Sequence, residues 1–65
     1  MSYTVKAVND NEGAVIKRNV RNVEQAREVG REAYRNQTIE QSDIVQIWSD
    51  DDDVTAVEEF GSDEI

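Results

Sequence analysis

The sequence predicts a two-layer α+β domain of order ββαββ, a four-stranded antiparallel sheet with one helix packed on one face. Three observations lead there. Two short runs of β-branched and aromatic residues flank a turn-forming cluster near the N-terminus, a 3.6-residue apolar period occupies the middle, and two further strand-like runs follow it. With 65 residues the chain has length for one domain and one thin core layer.

Tyr3 to Val8 is rich in strand formers, and Asn9-Asp10-Asn11-Glu12-Gly13 follows with residues that tolerate positive φ. Ala14 to Arg18 then resumes the strand pattern, so the spacing predicts an antiparallel hairpin. Asn22 is placed as a helix N-cap, with Gln25 three residues later completing a capping box. Val23, Ala26, Val29, Gly30, Ala33 and Tyr34 repeat at three and four, which predicts a helix over 23–35. Gly30 lies on that apolar stripe, where a missing side chain lets the helix approach the sheet closely.

Asp43 to Trp48 and Val54 to Phe60 read as the last two strands, joined by an exposed turn through Ser49 and four adjacent aspartates. Residues 1–60 are thus read as the domain and 61–65 as a flexible acidic tail. The expected core is Val5, Ala7, Ile16, Val23, Ala26, Val29, Ala33, Tyr34, Val45, Ile47 and Val57. One helix covers one sheet face, which assigns Val8, Ile44, Trp48 and Phe60 to the opposite, open face.

Charge is the most informative feature. The net charge is -8, yet residues 1–35 hold all seven basic groups against five acids, while residues 36–65 carry ten acids and no base. Charge divided between halves creates a local field that the total understates, and it points toward binding. Absence of Cys and His removes disulfides, thiolate sites and the usual nucleophile–base pairs, so neither an enzyme nor a cofactor is expected. Adjacent carboxylates such as Glu58 and Glu59 point to opposite faces of a strand and do not form a catalytic pair. Asp50–Asp53 offers oxygen atoms to a cation but lacks the alternating acids, turn glycine and closing glutamate of a calcium loop, so no metal site is assigned. The N-terminus shows neither an export signal nor a membrane span, and the cytoplasm is the expected compartment.

The leading functional expectation is a non-enzymatic acidic interaction module that docks a basic protein surface, in the manner of a phage or mobile-element inhibitor or adaptor that mimics nucleic acid. Its site residues are Asp50, Asp51, Asp52, Asp53, Glu58 and Glu59, with Trp48 or Phe60 as apolar anchor. An alternative is a small nucleic-acid-binding domain using Lys17, Arg18, Arg21, Arg27, Arg31 and Arg35, joined by Lys6. The net charge of -8 opposes the phosphate attraction that such binding needs. Three i, i+3 pairs, Glu24–Arg27, Glu28–Arg31 and Glu32–Arg35, give those arginines an ordinary role on an exposed helix face. A third reading is a homodimer, in which the open face or an edge strand meets its twin.

Overall fold

The first hairpin forms where the turn residues predict it: β1 (Tyr3–Val8) pairs antiparallel with β2 (Gly13–Val20). The Asn9 amide donates to the Glu12 carbonyl at 2.8 Å, and the Glu12 amide returns a bond to Asn9 Oδ1 at 3.0 Å, closing the turn locally. The structure is a computed structural model that describes residues 2–10, 12–51 and 54–64.

Helix α1 spans Val23–Arg35, and β3 (Ile44–Ser49) and β4 (Glu58–Phe60) follow, so the element order is ββαββ. Asn22 caps the helix as the sequence predicts, its side chain accepting from the Gln25 amide at 2.8 Å. The C-terminus closes without glycine. Gln37 takes a φ of 59°, its amide bonds the Tyr34 carbonyl at 3.2 Å, and the Thr38 amide reaches back to Ala33 at 2.9 Å, the paired bonds of a Schellman turn.

The strand order is β2-β1-β3-β4, all neighbours antiparallel. The helical connection therefore crosses over β1, leaving β2 and β4 as the two edges. Val5, Ala7, Val20, Val45 and Ile47 point to the helix side and are buried with Ala26, Ala33 and Tyr34. Ile16, Val23 and Val29 pack against this core and are partly buried. The Tyr34 hydroxyl donates to the Asp43 backbone carbonyl, which gives its polar end a partner at the start of β3.

Three expectations are corrected. The last strand is three residues long, not seven, and Val57 is 49% exposed rather than core. Its amide still bonds the Ile47 carbonyl at 2.7 Å, the first rung as the chain enters the sheet. Phe60 pairs with Val45 and lies on the helix side, not the open face. It occupies the space that Gly30 leaves, since a Cβ on Gly30 would sit 2.7 Å from Phe60 Cζ and 2.9 Å from Val45 Cγ1. Beyond β4, Ser62–Glu64 forms one 3₁₀ turn, and the Ser62 hydroxyl donates to the Gln41 carbonyl at 3.0 Å.

Candidate functional site

The register decides what each candidate residue can do. On β3, Val45 and Ile47 face the helix, so Ile44, Gln46 and Trp48 face away from it, opposite Val8, Lys6 and Thr4 of β1. Glu59 joins this open face from β4, paired with Gln46. Across the three strands the side chains link in a row. The Lys6 ammonium lies 5.0 Å from the Trp48 ring centroid, Trp48 Nε1 donates to Gln46 Oε1 at 3.1 Å, and Gln46 Nε2 donates to Glu59 Oε2 at 3.2 Å.

Asp50, at the end of β3, is bound into the fold. Its carboxylate accepts from the hydroxyls of Ser2 and Thr4, the latter at 2.7 Å, and its amide donates to the Ser2 carbonyl at 3.1 Å. The Ser2 and Thr4 hydrogen bonds hold its carboxyl below the usual aspartate range. Thr4 is buried on the face that lacks a helix, opposite Trp48 and bonded to Asp50. Asp51 is exposed, and its amide donates to Ser49 Oγ at 3.2 Å. Asp52 and Asp53 lie outside the described residues.

Glu58 and Arg27, assigned by sequence to two competing surfaces, bind each other. Arg27 Nε and Nη2 donate to the two oxygens of Glu58 at 2.6 and 2.7 Å, a forked pair between α1 and β4. The Arg27 hydrogen bond and charge lower the Glu58 carboxyl from its ordinary range. Glu58 is thus a structural tie on the helix side, and Glu59 is the β4 carboxylate on the open face. Among the described residues the other ion pair is Glu28–Arg31 at 3.1 Å, and the expected Glu24–Arg27 and Glu32–Arg35 contacts do not form. Lys17, Arg18, Arg21 and Arg35 are exposed. Arg18 lies at the Trp48 end of the open face, beside Thr4, Lys6 and Asp50.

The acidic candidates thereby divide. Trp48 and Glu59 remain together on the open face, Asp51 is exposed beyond the end of β3, and Phe60 and Glu58 serve the contact between helix and β4. The sequence missed the anchoring of Asp50, for which the signal is a hydroxyl pair, Ser2 and Thr4, two apart at the start of the neighbouring strand β1. Among the described residues no group of three or more carboxylates is placed to hold a metal ion, and no helix is long and apolar enough to cross a membrane. No protein-family model, curated protein or solved structure matches the chain, so its function is read from its own residues.

Proposed function

We propose that this chain is a non-enzymatic, acidic protein-interaction module that docks a basic protein surface, a cytoplasmic inhibitor or adaptor of the nucleic-acid-mimic type. The observation that carries this reading is the strand order. Because β1 and β3 are central, β2 with Lys17 and Arg18 lies at one edge and β4 with Glu58 and Glu59 at the other. Charge separated along the sequence is therefore separated across the sheet, and Trp48 on β3 stands between the two edges. Complementary charge speeds encounter and suppresses wrong partners, while a partly desolvated aromatic supplies binding energy.

The alternative, nucleic-acid binding by the arginines, has less support. Arg27 is committed to Glu58 and Arg31 to Glu28, which leaves no continuous ridge along the helix. The two readings separate by capture from a bacterial lysate with the tagged chain, with and without nuclease. The expected result is a protein retained after nuclease, lost on Asp51→Lys with Asp52→Lys, and kept on Lys17→Glu with Arg21→Glu. Retained nucleic acid that disappears with the second pair of substitutions, or capture indifferent to both pairs, overturns the proposal.

A further inference from the structure

Trp48 stands between two grooves. On its β1–β2 side a recess of about 210 Å³ is lined by Lys6, Arg18 and Asp50, a mixed-charge set. On its β4 side an open groove of about 540 Å³ runs between the indole and the segment leading into β4, with Val54, Val57, Glu58 and Glu59 along it. Val54 is 82% and Val57 49% exposed, so this groove has apolar walls in contact with solvent. Its carboxylate rim lies next to an aromatic ring that already attracts the ammonium of Lys6 at 5.0 Å.

An apolar wall, an aromatic ring and a carboxylate within one groove match a side chain with a long aliphatic stem and a cationic head. We propose that the β4-side groove seats an arginine or lysine side chain from an extended basic segment of the partner. The stem lies along Val54 and Val57, and the head meets Glu59 and the indole. This rests on the acidic-module reading and adds the partner's contacting chemistry to it. Glu59 suits the role because, among the described residues, Gln46 is the one hydrogen-bond donor to its carboxylate, at 3.2 Å, and a carboxylate accepts several donors. Arginine is the better occupant, since its planar guanidinium stacks on aromatic faces, binds carboxylates in a fork and sheds water more readily than an ammonium. A second copy of the chain is a poor occupant, because it brings a net charge of -8 to an acidic groove.

The test uses the full chain, an N-acetylated, C-amidated peptide of four Gly-Arg repeats, and the matching Gly-Glu peptide. Trp48 is the only tryptophan, so its emission reports directly on the groove. The expected result is a saturable emission change with the arginine peptide and none with the glutamate peptide. By calorimetry, Glu59→Lys weakens binding about tenfold or more and Glu59→Gln less, whereas Glu32→Lys, an equal charge change on the helix, alters it less than about twofold. Circular dichroism checks that each variant is folded, as expected for exposed positions. Equal losses from Glu59→Lys and Glu32→Lys, or binding without an emission change, overturn the groove and leave the acidic module standing. No peptide binding, with lysate capture still sensitive to Asp51, has the same meaning. Failure of both experiments overturns the two proposals together.

Discussion

At the residue scale, Gly30 shows how one absent side chain shapes the protein. Phe60 fills the gap, so Gly30→Ala forces its new methyl against the ring and against Val45. Overpacking of this kind costs roughly 1–3 kcal/mol, more than offsetting the about 1 kcal/mol that alanine gains over glycine in a helix. The expected outcome is a lower urea midpoint, with a smaller loss when Gly30→Ala is made in a Phe60→Leu background, because the ring supplies the nearest contact. Asp50 and Glu58 carry the acid response. Both carboxyls are lowered in the folded state, so each contributes stability above its unfolded value, 3.8 or 4.5, that is lost as pH falls through the folded value. Thermal unfolding followed between pH 3 and 7 should show the gap between wild type and Glu58→Gln closing below about pH 4.5. The packing role of Gly30 was legible in the sequence from its place on the apolar stripe. The Arg27–Glu58 pair was not, because it spans 31 positions and depends on which strand lies beneath the helix.

At the element scale, the two ends of α1 are held by different devices and respond oppositely to substitution. Asn22→Ala removes the bond to the Gln25 amide and should cost about 1 kcal/mol. Gln37 sits at a φ of 59°, so Gln37→Gly should raise stability by up to about 1 kcal/mol by relieving the left-handed strain. Chemical denaturation of the two variants checks both signs. The helix, the first hairpin and β3 were legible because period, cap and turn residues agreed. The last strand was misjudged for a physical reason. Val54-Thr55-Ala56-Val57 has strand-forming residues, and taking Val57 as core fixes an alternation that sends Phe60 outward. Pairing Glu58 with Ile47 shifts the inward set by one, placing Glu58 and Phe60 toward the helix.

At the scale of the whole molecule, strand order converts a sequence asymmetry into a dipolar sheet, and no local signal reveals that order. Two hairpins joined by a helix can dock through either strand of each, and only the assembled core selects β1 beside β3. The uncovered face bears on self-association. Four strands about 4.8 Å apart and about five residues long present roughly 300–400 Å² per face. Two such faces bury less than the about 1,200 Å² at which stable interfaces begin. Sedimentation at micromolar concentration should therefore give a mass of 7.4 kDa, and a mass of twice that value would require an edge-to-edge contact.

The short β4 has a further consequence, in the behaviour of the chain when it is damaged. It covers the outer edge of β3, whose residues Ile44–Ser49 are uncharged, rich in strand formers and free of proline, the composition of a self-pairing segment. Asp50 and the three aspartates after it follow that segment directly, where like charge on neighbouring copies keeps them from stacking. A chain ending after Val57 loses the cover and keeps the repulsion. It is expected to stay dispersed in low salt and form thioflavin-positive aggregates when salt screens the aspartates, while the full chain remains clear under both conditions.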